Sequence, residues 1–218
     1  MTRVPADTSE PRKRISGEAR RASIVAAAAQ LFAEQGFGGS TREIAQRLGV
    51  TQALLYRYFP SKDALIEAVF DVHRRPLDAS RTAVLADRSR SLVDRVCDFY
   101  SAYQGRNSSY SGVRLFMHAA MAGIDFAIRY SPDLDEMVIR PLLNAWRAEA
   151  GLGPALGPLP RLERDLVLNM HGAIVFIGIR RHIYGAAITD ERQAELVREI
   201  VTTWLPGALD RLSNHMTT

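Results

Sequence analysis

One cysteine, Cys97, stands in 218 residues. No disulfide can form within such a chain, which excludes a disulfide-stapled scaffold and suits a reducing compartment. Lysine is nearly as scarce: Lys13 and Lys62 are the only two, and arginine supplies the rest of the 28 basic side chains. No apolar run approaches the roughly 20 residues that span a bilayer, so no membrane association is expected. The opening stretch MTRVPADTSEPRKRISGEARR has no apolar core behind its charges, which is not the pattern of a secretory leader. No segment shows the strict polar–apolar alternation of a half-buried strand. A phosphate-cradling glycine loop, a GxSxG nucleophile turn and an HExxH zinc motif are all missing. The expectation is therefore a cytoplasmic, all-α protein without a cofactor and without enzymatic chemistry.

What is present is an ordinary globular composition, 47% apolar and 24% charged, enough to build a sizeable core. The charge is uneven. Residues 1–62 hold ten basic side chains against five acidic ones, so a net +5 lies in the first third and about −1 in the rest. A basic end on a near-neutral body points to a polyanionic partner at that end.

Apolar spacing and punctuation predict about nine helices. Residues 1–17 are polar, contain Pro5 and Pro11, and read as a flexible basic arm. A helix over 18–35 carries Ile24, Ala28, Leu31 and Phe32 inward and stops at Gly36. Ser40 and Glu43 have the spacing of a capping box before TREIAQRL. Gly49 and Val50 form a turn, Thr51 caps a short helix over 52–59, and Pro60 ends it. Ser61 caps the next helix, which runs toward Pro76. Further helices are expected over 88–104, 109–129, 133–150, 160–185 and 190–212, with GLGPALGPLP, Gly151 to Pro160, as the clearest linker.

The stretch TQALLYRYFPSK poses a packing problem. Tyr56 and Tyr58 are two residues apart, about 200° around a helix, and cannot share a buried face with each other. Phe59 can turn inward with Leu55, so at least one tyrosine must face out, beside Arg57 and shortly before Lys62. Helix, glycine turn, helix over 40–59 is the spacing of a helix-turn-helix.

The fuller pattern STREIAQRLGVTQALLYRYFPSKDAL, with Thr41, Ile44-Ala45, Gly49-Val50, Leu55-Tyr56, Phe59, Lys62 and Leu65, resembles the N-terminal DNA-binding domain of the TetR family of regulators. AAQLFAEQGF, Ala28 to Phe37, fits the preceding helix. The resemblance covers roughly residues 18–70. It implies a DNA-binding head over 18–62 and, over 63–218, a helical effector-binding and dimerisation domain. It implies DNA contacts by Thr41, Arg42, Thr51, Gln52, Ala53, Tyr56, Tyr58 and Lys62 on a palindromic operator. The second helix of such a unit enters the major groove with its N-terminal residues at base edges. Gln52 sits there, with an amide that can pair with adenine N6 and N7. Tyr56 follows one turn later, and Tyr58 takes a phosphate by family analogy. Thr41 is expected on a phosphate, and Arg42 either grips guanine or remains a phosphate or solvent charge. Lys62 opens a helix, where a cation is unfavourable unless a phosphate joins it. Leu54 departs from the small or polar residue common at its position. The arm residues Arg12, Lys13 and Arg14 can track a backbone or a minor groove.

For the remainder, the family implies a homodimer through the helices at 160–185 and 190–212. LVLNMHGAIVFIGI, Leu166 to Ile179, is apolar nearly all round, which means burial on more than one side. Candidate residues for an unknown small-molecule effector are Met117, His118, Met121, Phe126, Asn169 and His171. The methionines adapt to irregular apolar space, and the polar groups need partners. No metal is expected: His171 and His182, eleven residues apart, are separated by about 16 Å along a helix. The role that follows from this resemblance is a ligand-released repressor. The alternative is a helical small-molecule-binding or enzymatic domain whose helix-turn-helix is incidental.

Overall fold

The computed structural model describes residues 16–74, 79–123 and 134–215. Among the described residues there are ten α-helices and no strand: α1 Gly17–Gln35, α2 Thr41–Arg47, α3 Gln52–Tyr58, α4 Lys62–Arg74, α5 Ala79–Ala86, α6 Leu92–Asn107, α7 Tyr110–Met121, α8 Arg140–Glu149, α9 Arg161–His182 and α10 Asp190–His215. Residues 1–15 of the expected arm, the break at Pro76 and candidate Phe126 lie outside the described residues; Ser16 and Gly17, read as the end of that arm, already open α1.

Most boundaries follow local chemistry. Ser16, Thr51, Ser61 and Ser109 each accept a hydrogen bond from the backbone N–H three residues on, capping α1, α3, α4 and α7. α1 ends where Gly36 adopts φ 73°. The helix expected over 109–129 stops at Met121, with Gly123 at φ 62° just beyond it. A wide π-type turn, Asp135–Ile139, leads straight into α8, whose second residue, Pro141, has no N–H to donate.

α5 was not among the nine expected helices. Its eight residues carry no helix signal of their own strength. A distant side chain completes it: buried Arg95 donates to the Leu85 carbonyl at 2.8 Å and pairs with Glu149 at 2.7 Å. That satisfies an end carbonyl that the helix itself cannot.

Two apolar cores result. The first joins Ile24, Leu31 and Phe32 of α1 to Ile44 and Ala45 of α2, Leu55 and Phe59 around α3, Leu65, Ala68 and Val69 of α4, and Leu115 and Ala119 of α7. The cluster runs past the division expected after residue 62. The second core gathers Phe99, Tyr100, Leu142, Trp146, Val167, Met170, Ile174, Val201 and Leu205 from α6 and α8 to α10.

The segment read as a linker is instead stapled to the body. Arg147 Nε donates to the Gly153 carbonyl, and Ala155 N–H donates to Asn144 Oδ1. Arg140 reaches the carbonyls of Ala155 and Gly157. Arg147 also holds both oxygens of Glu163 at 2.7 Å, with the two side chains only 12% and 5% exposed. Glycine and proline here mark an irregular path rather than a loose one, because the carbonyls of Gly153, Ala155 and Gly157 have each found an arginine.

Candidate nucleic-acid interface

α2 and α3 meet through the turn at Gly49, whose φ of 63° is costly for any residue with a Cβ. Gly49 N–H donates to the Gln46 carbonyl and Val50 N–H to that of Ala45. Ile44 and Ala45 face the core from α2 while Leu55 and Phe59 face it from α3. The opposite face of α3 is left open.

Ser40 caps α2 through the Arg42 N–H at 3.1 Å, not through that of Glu43 as the capping-box spacing predicts. Glu43 does not reach back either. Its carboxylate accepts from Arg47 at 3.0 Å and from Gln35 at 3.0 Å, and Arg47 also holds Glu34 at 2.8 Å. These pairs fasten α2 to the end of α1. A carboxylate offered two charged or amide donors leaves the weaker reciprocal cap unmade.

On the open side, Gln52, Ala53 and Tyr56 are exposed, with Tyr56 at 42%. This answers the packing problem of the two tyrosines: Tyr56 is the outward ring, while Tyr58 is half-buried with the Arg57 guanidinium 5.6 Å from its centroid. Tyr58 Oη lies 3.9 Å from where a Cβ on Gly17 would be, next to the N-terminus of α1. Thr51 and Arg42 are exposed. Lys62 is half-buried, its Nζ 6.0 Å from the Phe32 ring centroid, at the N-terminus of α4.

Thr41 departs from the exposed position that a phosphate contact suggests. It is 6% exposed. Its Oγ1 accepts from Gln52 Nε2 at 2.9 Å and lies 3.2 Å from Tyr56 Oη. Arg21 was missed by sequence reasoning. It lies over the Phe59 ring at 4.8 Å and adds a cation beside the end of α3. Only the local surplus of arginine hinted at it.

The five effector candidates among the described residues are not brought together. Met121 is 73% exposed, and Asn169 is exposed rather than partnered inside the bundle. Asn169 shares the open face of α9 with Leu162, Gly172, Phe176 and, just past the helix end, Ile183, at steps of three, four and seven. Met117 is half-buried. His118 sits at the head, where a Cβ on Gly36 would lie 3.1 Å from its Nδ1. His171 alone is deep in the body, buried, with its Nδ1 3.2 Å from Tyr100 Oη and its ring stacked on that tyrosine. A groove of about 600 Å³ beside the α9–α10 turn, lined by Arg181, His182, Ile188 and Glu191, contains none of these five.

A tight helix pair with one face locked in a core and the other presenting amide, hydroxyl and cation at a basic end defines a helix-turn-helix DNA-binding protein. Residues 24–69 match the family described as "Bacterial regulatory proteins, tetR family". Over most of its length the chain is similar to the HTH-type transcriptional regulator EthR of Mycolicibacterium smegmatis, 24% identical across 93% of this chain and 89% of that protein. It is 28% identical to the HTH-type transcriptional repressor KstR2 of Rhodococcus jostii, across 53% of this chain and 55% of that protein. The crystal structure of a TetR-like transcriptional regulator from Rhodococcus sp. RHA1 shares the fold with a TM-score of 0.66 at 18% identity, covering 89% of this chain and all of that one. Residues 24–69 are therefore a tetR-type DNA-binding domain, and the chain is a DNA-binding transcriptional regulator. No described helix is long and apolar enough to cross a membrane.

Burial shifts several titrations in the body: it lowers His182, raises the Cys97 thiol and acts on His171. It pushes the His171 imidazole from an ordinary 6.5 down to about 4. The native state therefore refuses a proton that the unfolded chain accepts. The associated stability is complete above about pH 6.5 and is lost as pH falls toward 4, by roughly 3 kcal/mol in all. Urea unfolding at pH 7 and pH 4.5 is expected to show a smaller acid loss for His171→Phe than for the wild type.

Proposed function

We propose that the chain is a cytoplasmic homodimeric repressor, rather than an enzyme, that holds a palindromic operator and is released by a small apolar or amphipathic ligand. The observation that carries the DNA-binding reading is the open face of α3, with Gln52 and Tyr56 projecting from a helix whose other face is fully committed to the core. In this reading Gln52 and Tyr56 meet bases, with Ala53 close enough for a thymine methyl. Arg42, Thr51, Tyr58 and Lys62 meet the backbone. Tyr58 and the α1 N-terminus converge from two elements, which suits one phosphate oxygen cluster.

The two kinds of contact separate on mutation. Gln52→Ala is expected to relax sequence preference at one base pair by about 1–3 kcal/mol. Lys62→Ala is expected to weaken operator and random DNA alike and to reduce the salt slope by roughly one unit. Fluorescence-anisotropy titrations on both DNAs at several salt concentrations measure this. An equal effect of Gln52→Ala on both would contradict its assignment.

A single head covers too few bases for useful specificity, so a second copy is required. The support for where it docks is the face of α9 and α10 left open in one protomer. Leu162 and Phe176 are exposed on α9, Ile183 just past its end, and Trp204 on α10. Gly172 and Gly207 leave room for close approach, with nothing within 4 Å of an added Cβ. Charge placed there is expected to break the pair: Phe176→Asp should sediment as a monomer where the wild type sediments as a dimer. A wild-type monomer at micromolar concentration would sink the reading.

Release requires a ligand that prefers a state in which the heads no longer sit about 34–36 Å apart. Two routes lead from the body to the head. α4 is joined to α3 through Pro60 and Ser61. α7 packs Leu115 and Ala119 into the head core, and Arg114 donates both to the Ala33 carbonyl at 2.6 Å and to the His182 carbonyl at 3.4 Å. By linkage, operator DNA must weaken ligand binding by the factor by which ligand weakens operator binding. Equilibrium dialysis with and without operator is expected to give that matched factor. An unchanged affinity for a stoichiometric ligand would show that it is not an inducer.

A further inference from the structure

Thr41 is built as a junction rather than as a surface contact. Its hydroxyl has one proton and two lone pairs. One lone pair takes the Gln52 Nε2 proton at 2.9 Å, and a second bond runs to Tyr56 Oη at 3.2 Å. The residue is 6% exposed, whereas Gln52 and Tyr56 stand in solvent. The hydroxyl therefore has one hydrogen-bonding position left and little surface on which to offer it. Two long side chains from α3 converge on one short side chain from α2, whose position is fixed by the core residues Ile44 and Ala45.

This geometry constrains how Gln52 reads a base. A free glutamine amide rotates, and its donor and acceptor present no fixed order to the groove. Donation of one Nε2 proton to Thr41 fixes the amide plane and leaves the carbonyl oxygen and the second N–H, the pair that adenine N6 and N7 require. The Tyr56 hydroxyl is tethered to the same atom, so the two base-facing side chains of α3 share one anchor. We infer that Thr41 is a positioning residue for sequence readout: it orders the Gln52 amide and the Tyr56 hydroxyl before DNA arrives, and specificity at the base pair under Gln52 is conditional on it. The inference rests on the reading of α3 as the recognition helix. Order set in the free protein lowers the entropy lost on binding the correct site.

Thr41→Val removes the hydroxyl and keeps the shape. Both former partners remain in water, so neither is stranded and the fold is retained. Thr41→Ser keeps the hydroxyl and serves as the rescue. The probes are the operator selected by the wild-type protein from a randomised pool, the same operator changed at the base pair that Gln52→Ala renders indifferent, and random DNA. For a positioning residue, Thr41→Val loses about tenfold or more of the discrimination between the first two. Its affinity for random DNA and its salt slope stay at wild-type values. Adding Gln52→Ala to Thr41→Val then changes discrimination little further, and Thr41→Ser restores it. In the DNA-free protein, the Gln52 side-chain amide, ordered by NMR relaxation in the wild type, becomes mobile in Thr41→Val.

Two results overturn the inference. Uniform weakening on all DNAs with a salt slope reduced by about one unit identifies a direct phosphate contact instead. Unchanged discrimination in Thr41→Val shows that the junction is irrelevant to readout. If Gln52→Ala itself leaves sequence preference intact with Thr41 present, the recognition-helix assignment fails first and the inference falls with it; that failure is visible in the single variant alone.

Discussion

A seven-residue helix cannot hold its own shape in water, and the whole DNA-facing surface depends on one. Helix nucleation fixes several residues for each early hydrogen bond, so α3 alone would be largely unfolded. Three attachments stabilise it. Thr51 closes its first turn, Leu55 and Phe59 anchor its inner face in a core built by four other helices, and Gly49 lets α2 approach without strain. Every side chain on the outer face is therefore positioned by a capped first turn and by residues buried behind it. The Thr41 junction extends the same logic from the backbone of α3 to its side chains.

The dependence reaches beyond the head. Leu115 and Ala119 of α7 lie in the same core as Leu55, and Arg114 from the same helix ties the end of α1 to the end of α9. The Ala33 and His182 carbonyls are both orphan acceptors at helix ends, and one guanidinium satisfies the two. Around it, Tyr110 stacks on Arg114 and meets the His182 ring edge-on, and His182 Nε2 lies 2.9 Å from the Ser108 carbonyl. Gly178 permits this closeness, since a Cβ there would lie 3.0 Å from Val113. A rotation of α9 cannot leave α1 undisturbed while these contacts hold.

Local signals were legible and long-range ones were not. Caps at Thr51 and Ser61, the stop at Gly36 and the turn at Gly49 are read within four residues, and so they can be found in the sequence. The outward Tyr56 follows from helical phase alone. α5 escaped because its closing partner, Arg95, lies ten residues beyond the carbonyl it satisfies. The staple on Gly151 to Pro160 escaped because proline and glycine are compatible with either loose or tethered chain, and Arg140 and Arg147 carry no sign of which carbonyl they will meet. Asn169 was misjudged because a helix apolar nearly all round conceals which side stays open. His118 was grouped with His171 by composition, yet the first sits against the head and the second on Tyr100. Thr41 could be placed at the start of α2, but its burial depends on the angle between two helices.

The uneven charge of the chain fits this division of labour. The basic surplus in the first 62 residues sits on the part that meets a polyanion, and arginine there also performs structural work: Arg47 joins α1 to α2, and Arg21 covers Phe59. In the body, arginine is spent inward. Arg95, Arg147 and Arg164 pair with Glu149, Glu163 and Asp135 across separate elements. Of these, Arg147 with Glu163 is the pair buried on both sides, where removing one member would strand the other. Between the two cores the tie is of another kind: Arg114 meets neutral backbone carbonyls, of Ala33 and His182, so giving it up strands no opposite charge.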